Sequence, residues 1–260
     1  MLKDITLGQY FPGNSVAHKL DPRTKILLVT LYIIALFSAK GLVGYAVMIA
    51  TLAACVKVSH VGLKSLVRGL KPLVVIIVFT GVLNVFFTPD THYLWEWGIL
   101  RISVKGVENA LFMVVRIMLL VMGTFLMTYT TSPIRLTDGL ESLLNPLKKI
   151  HVPVHELAMM MAIALRFIPT LIEETDKIMS AQKARGADFE SGSLFQKAKA
   201  LVPILVPLFI SAFRRADELA TAMECRCYHG GEGRTKLHVL KYQRRDYVAL
   251  TGGAVILVLV

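Results

Sequence analysis

Residues 107–129 read VENALFMVVRIMLLVMGTFLMTY, and this run decides the fold class. Its only charges are Glu108 and Arg116. A helix rises about 1.5 Å per residue, so some 20 residues cross a hydrocarbon layer about 30 Å thick. This run is long enough. Four shorter ones accompany it: Ile26–Ala39, Gly41–Val58, Pro72–Phe87 and Tyr247–Val260. They need flanking residues, snorkelling lysines or a thinned bilayer to complete a crossing, and the last runs as far as Val260. Phe37-Ser38-Ala39 has the small-residue look of a signal cleavage site, but the repeated runs after it favour a retained first span.

Composition agrees with the run. The 260 residues are 55% hydrophobic and only 18% charged, with a mean hydropathy of +0.59. Soluble domains run nearer 45–50% apolar and about 25% charged. A disordered chain, a disulfide scaffold (three Cys in all) and an acidic soluble enzyme are excluded. The net charge of +11 leaves two explanations, nucleic acid or the cytoplasmic edge of a membrane.

The distribution of Lys and Arg decides between them. Segment 1–25 carries four, and 57–71 carries Lys57, Lys64, Arg68 and Lys71 with no acid. Loop 88–106 balances Arg101 and Lys105 with Asp90 and Glu96, and its Tyr93, Trp95 and Trp97 read as an interfacial aromatic belt. Stretch 130–245 holds 17 Lys/Arg against 12 Asp/Glu. The amino terminus and 130–245 therefore read as inside and 88–106 as outside, with the Lys40 turn a weak exception. No zinc-finger spacing, aromatic–basic interleaving or basic heptad region supports nucleic acid.

Stretch 130–245 is too long for a structureless loop. Pro133–Ile150 reads as a helix capped by Ser132, with Leu136, Leu140, Leu143, Leu144 and Leu147 on one face and Pro146 breaking it late. Two apolar stretches follow, Val154–Ile172 and Leu201–Phe213, and each runs into a charged helical one, Glu173–Gly186 and Arg214–Cys225. Long helices lying partly at the interface and ending in water are expected; two further short spans are the alternative. Arg166 and the pair Pro203/Pro207 suit a lipid-facing span poorly. The fold class expected is all-α: a polytopic membrane protein with short transmembrane helices and long amphipathic cytoplasmic helices. Its division is 1–25 cytoplasmic, 26–129 four transmembrane helices, 130–245 cytoplasmic or interfacial, and 246–260 a final transmembrane helix.

A motif recurs at an offset of 41 residues. Asp176, Ser180, Ala181, Ala184, Arg185 and Gly186 match Asp217, Thr221, Ala222, Cys225, Arg226 and Cys227. The acid and the hydroxyl lie four apart, on one helical face. Arginine offers five fixed donors for carboxylates or exposed carbonyls, and small flanking residues admit a partner's backbone. A glycine after Arg185 also suits a helix end. Solvated arginines at two helix ends are the plain reading of each copy alone. Together, at the ends of two successive helices, they read as two docking prongs for a partner with two related grooves.

These residues carry a resemblance. Ala184-Arg185-Gly186 and Cys225-Arg226-Cys227 resemble the paired Ala-Arg-Gly-type motifs of the transmembrane (T) component of energy-coupling factor (ECF) transporters. So do His18-Lys19-Leu20-Asp21-Pro22-Arg23-Thr24-Lys25 and Leu165-Arg166-Phe167-Ile168-Pro169 before Glu174-Thr175-Asp176. The resemblance spans essentially the whole chain and departs at Cys225 and Cys227, which replace Ala and Gly. It implies a non-catalytic scaffold in the cell membrane of a prokaryote, belonging to an ABC-type importer. Two cytoplasmic ATPases, which use ATP and Mg, would dock at the two arginines. A separate membrane-embedded S component would capture a vitamin or metal ion, and several S components would share the scaffold. Met159, Met160, Met161, Pro203 and Pro207 would offer them an adaptable surface, though ordinary core filling explains the methionines equally well.

The chain lacks a nucleotide site of its own. In the glycine-rich stretch 230–235, a phosphate loop would need Gly at Tyr228 and Lys at Arg234. His151, His155 and Glu156 fail the zincin pattern, since Pro153 intervenes and Met159 takes the second His place, and Cys225/Cys227 lack a second pair. No metal or bound cofactor is expected. Arg116 is expected to pair within the bundle or with a partner protein, with Glu108 at the outer interface. A stand-alone secondary transporter or a membrane-embedded enzyme is the alternative function. An ordinary ABC permease half is weaker, since no polar intramembrane pocket is evident.

Overall fold

The computed structural model describes residues 10–87, 93–97, 100–187, 189, 193–231 and 239–260. Among these, a succession of helices carries the chain: α1 (Val16–Lys19), α2 (Pro22–Ser38), α3 (Gly41–Ser59), α4 (Leu63–Leu70), α5 (Val74–Phe87), α6 (Val104–Thr130), α7 (Pro133–Leu144), α8 (Val154–Ala184), α9 (Leu194–Glu224) and α10 (Arg244–Leu259). One antiparallel hairpin, β1 (Tyr93–Trp97) with β2 (Leu100–Ser103), joins α5 to α6. Single 3₁₀ turns, Lys71–Leu73 and Asn145–Ile150, follow α4 and α7. Two compact units result: Gly8–Gly139 with Leu240–Val260, and Leu140–Val239.

The first unit holds three of the four stretches able to cross a membrane found among the described residues. Asp21 caps α2, its Oδ1 accepting from Arg23 N at 2.9 Å, and Pro22 fills the first turn, where a missing N–H costs nothing. α2 packs on α6 and α10, while α3, α4 and α5 pack on α6. Two small clusters form this unit's core among the described residues, Ala35, Leu36, Ala39, Tyr45, Met48, Leu52 and Leu119 in one and Val61, Leu66 and Tyr129 in the other. Most apolar side chains face outward instead, Leu42, Val43 and Val75 being more than three-quarters exposed. A soluble domain would bury such residues; here they are the lipid face. Gly123 admits the Tyr32 ring, whose Cε1 would lie 2.5 Å from an added Cβ, and Tyr32 then donates to Leu119 O at 2.9 Å. Arg116 Nε donates to Tyr45 Oη at 2.8 Å, so of the two placements the sequence left open it takes a hydrogen bond inside the bundle.

Several boundaries differ from the sequence reading. Loop 57–71 contains a helix of its own, α4, and Leu63–Phe86 forms one stretch able to cross a membrane where the expectation began at Pro72. By length and hydropathy, Gly41–Ser59, Val104–Thr130 and Val154–Ala184 qualify as well. α2 and α10, at 17 and 16 residues, are shorter, as their runs implied. The backbone of Tyr93, Trp95 and Trp97 forms β1, while their side chains lie outside the described residues, as do residues 232–235 of the glycine-rich stretch.

In the second unit, α8 and α9 are 31 residues each and pack on one another. Each runs unbroken from an apolar stretch into a charged one, through Pro169 in α8 and through Pro203 and Pro207 in α9. Pro146 sits where α7 has given way to the 3₁₀ turn, since a helix-interior proline removes a hydrogen bond and crowds the preceding turn.

Candidate functional site

The two motif copies sit at the ends of α8 and α9, and both ends are built alike. In the first, Ala187 N donates to Gln182 O at 3.0 Å and Gly186 N to Lys183 O at 3.0 Å, with Gly186 left-handed at φ 88°. In the second, Tyr228 N donates to Met223 O at 3.0 Å and Cys227 N to Glu224 O at 2.9 Å, with Cys227 left-handed at φ 54°. This paired six-to-one and five-to-two closure satisfies the last helical carbonyls. It places Arg185 and Arg226 at the same capping position, one residue before the left-handed turn. Both arginines are exposed, and neither guanidinium has a hydrogen-bond or ion-pair partner among the described residues. A cation there is favoured by the negative end of the helix dipole and remains free to bond outward.

The remaining motif residues divide. Ser180 Oγ donates to Asp176 O at 2.7 Å, so its hydroxyl serves its own helix rather than the Asp176 carboxylate. Asp217, Thr221, Ala184 and Cys225 are exposed. Met160 and Met161 are exposed and Met159 half-buried; Pro203 is exposed and Pro207 half-buried. Among the described residues, the apolar ones buried in this unit are Val154, Ala158 and Ile204, so the outward methionines are surface rather than core.

A tie between the helices was missed in the sequence. Ser211 Oγ donates to Glu174 Oε1 at 2.5 Å, and Arg215 Nη2 donates to Glu174 Oε2 at 3.0 Å. Glu174 and Arg215 stand at matching positions of the 41-residue repeat. Each lies eleven residues before its capping arginine, Arg185 or Arg226, a rise of about 16 Å along either helix. The two prongs are thus arms of equal length measured from one ion pair. Opposite charges at matching repeat positions were the signal available for it.

His18 to Lys25 proves to be a latch in the membrane unit. Asp246 Oδ1 accepts from Asp21 N at 2.8 Å, tying the start of α2 to the start of α10. Arg23 pairs with Asp21 at 3.1 Å and lies 4.1 Å over the Tyr242 ring. Lys25 Nζ, buried in the turn before the apolar run, donates to Thr130 O at 2.8 Å and to Thr131 Oγ1 at 3.0 Å, holding the end of α6. Burial, and then the charge of Arg135, brings its amine down to about 8, against a smaller opposing pull from Asp246. His155 Nδ1 meets Glu141 Oε1 at 3.0 Å, and no cluster of metal-ligating side chains occurs among the described residues.

The profile of the family described as CbiQ, cobalt transport protein, matches residues 13–237. The energy-coupling factor transporter transmembrane protein EcfT of Ruminiclostridium cellulolyticum is 53% identical over 256 residues, covering 98% of this chain and 95% of that protein. Proteins of the same name from Brevibacillus brevis and Bacillus subtilis are 48% and 47% identical. Their alignments cover 100% and 95% of this chain and 98% and 93% of theirs.

Proposed function

The chain belongs to the CbiQ family and is the transmembrane component of an energy-coupling factor transporter, and on that premise we propose that α8 and α9 carry motion from two ATPases to a substrate-binding subunit. The carrying observation is the pair of identically capped helix ends, each with an exposed, unpartnered arginine at one distance from the Glu174–Arg215 tie. Arg185 and Arg226 dock the two ATPases, one each, through charge-assisted bonds to carboxylates or exposed carbonyls. Ala184, Gly186, Cys225 and Cys227 keep the approach close, while Asp176, Ser180, Asp217 and Thr221 shape the last turns. ATP and Mg act on those partners; this chain performs no catalysis and holds no cofactor.

When the ATPases close on ATP, the docked ends move, and the tie makes the helices respond as one lever. The exposed surface with Met160, Met161 and Pro203 receives a membrane-embedded S component, whose tilting releases a vitamin or micronutrient inside. Unbranched thioethers repack readily, which supports sharing among several S components. The Lys/Arg distribution supports a prokaryotic cell membrane with the amino terminus and residues 130–245 on the cytoplasmic side, between spans within 26–129 and a last one at 246–260.

Replacing both Arg185 and Arg226 by Glu tests this. Each change removes a contact of about 1.5–3 kcal/mol and adds repulsion, so the ATPases fail to co-purify and ATP-driven uptake in proteoliposomes is lost. Unchanged complex yield and uptake in the double variant would overturn the docking role. Uptake by the isolated chain without ATPases would favour a stand-alone transporter.

A further inference from the structure

A cleft of about 660 Å³ opens in the membrane unit among α1, α2, α3, α6 and α10. This is the size range of small-ligand sites, about 300–1,000 Å³. Its walls are almost wholly apolar, with Leu28, Leu31, Ala54, Met127, Val248 and Ile256 among them. On α2 it extends from Lys25 to Ala35, a rise of about 15 Å, which is half of a hydrocarbon layer about 30 Å thick.

One end is basic. Lys25 and Arg245 line it together with Thr130, where α2 and α10 begin and α6 ends. Arg245 Nε is buried without a hydrogen-bond partner. Lys25 donates to Thr130 and Thr131, which leaves the third of an ammonium's three protons over. The nearby carboxylates are already engaged: Asp246 accepts from the amides of Asp21 and Gln243, both at 2.8 Å, and Asp21 pairs with Arg23. Arg135 adds positive charge close to Lys25.

We propose that this cleft holds one acyl chain of an anionic phospholipid from the leaflet on the Lys/Arg-rich side, with the phosphate against Arg245 and Lys25. A greasy slot one leaflet deep, opening where Lys25, Arg245 and Arg135 outnumber the Asp246 carboxylate beside them, matches a negatively charged lipid in both parts. A zwitterionic lipid fills the slot but brings its own cation to the basic end. Free phosphate meets the charges but leaves the slot empty. Basic pockets between helices on the cytoplasmic side of membranes suit acidic headgroups in general. Gly252 keeps the slot open, since nothing lies within 4 Å of where its Cβ would stand.

The test uses the full chain in neutral detergent, delipidated and observed by native mass spectrometry. It is titrated in separate arms with phosphatidylglycerol, with phosphatidylcholine of the same acyl chains, and with inorganic phosphate. One phosphatidylglycerol per chain is retained, about tenfold more tightly than phosphatidylcholine, and phosphate alone leaves the melting temperature unmoved. Arg245→Gln removes the preference between the two lipids. Gly252→Phe, which adds a ring where a Cβ alone meets nothing within 4 Å, lowers retention of both. Equal retention of the two lipids by the unaltered chain would overturn the proposal, as would stabilisation by phosphate equal to that by phosphatidylglycerol. If Gly252→Phe does not fold, Arg245→Gln decides alone: a preference that survives it refutes the headgroup site.

Discussion

Breaking the Glu174 tie is the most direct probe of α8 and α9 as a single lever. Glu174 accepts two bonds, from Ser211 and from Arg215, and the two charged side chains are 24% and 35% accessible. A fully exposed pair is worth about 0.2–1 kcal/mol, whereas breaking a buried one costs about 3–5 kcal/mol. Partial exposure and the added hydroxyl put Glu174→Ala between these, at about 2 kcal/mol, or roughly thirtyfold in the population of the tied arrangement. The loss is amplified because Arg215 Nε is already buried without a partner, so the guanidinium has no second acceptor to fall back on. A double-mutant cycle of Glu174→Ala and Arg215→Ala separates the pair from its surroundings. The readout is hydrogen exchange of the α8 and α9 amides in the purified chain. A coupling of about 1 kcal/mol is expected, with Ser211→Ala costing about as much again. In the assembled transporter the same single variants slow uptake while ATPase docking at Arg185 and Arg226 persists. Energies that add to within about 0.3 kcal/mol, with uptake unchanged, would refute the lever.

Two further outcomes follow from capping and burial. Cys227 occupies a left-handed conformation that costs a non-glycine residue about 1–2 kcal/mol, so Cys227→Gly raises the chain's resistance to thermal unfolding by about 1 kcal/mol, and Gly186→Ala, at φ 88°, lowers it comparably. Both are read from melting curves in detergent, with Arg185 and Arg226 intact. Lys25 falls to about 8 from an ordinary 10.5 because burial penalises its charge. Below pH 8 it is protonated in both folded and unfolded chains, and the full penalty is present. Between pH 8 and 10.5 the folded chain gives up a proton that the unfolded chain keeps, so stability rises with pH through that window. Lys25→Met abolishes the rise, although it also lowers stability by about 1–3 kcal/mol at neutral pH because Thr130 O and Thr131 Oγ1 lose their donor.

What the sequence revealed and what it hid divide along a physical line. Hydropathy is a local sum, so Val107–Tyr129 and the family of short runs were legible, and so was a helix passing from apolar to charged at Glu173 and Arg214. That Arg116 must find a polar partner was legible because an unpaired charge in an apolar run is costly, but whether inside the bundle or on another chain was not. The helix α4 was not legible, since Lys64 and Arg68 read as loop charge when only their sign is counted, not their spacing. The Glu174–Ser211–Arg215 tie depends on how two helices lie against each other, which no periodicity within one helix encodes. The latch at Asp21 is of the same kind: Asp246 lies 225 residues away.

The second motif shows why a matched pattern can carry more than its residue types. By composition, Cys225-Arg226-Cys227 is a poor copy of Ala184-Arg185-Gly186. By backbone, the two ends make the same two closing bonds and set the arginine one residue before a left-handed turn. Glycine is favoured at that turn because it lacks a Cβ, not because space is tight; nothing lies within 4 Å of where a Cβ on Gly186 would stand. A cysteine can therefore replace it at a conformational cost and without a clash. The equivalence of the prongs rests on the cap, and the cap survives the substitution. Docking should accordingly be more sensitive to the charge at Arg226 than to the thiols beside it. Cys225→Ala with Cys227→Gly leaves co-purification of the ATPases unchanged where Arg226→Glu diminishes it; a loss of docking in the thiol-free variant would place the contact on sulfur and undo the equivalence.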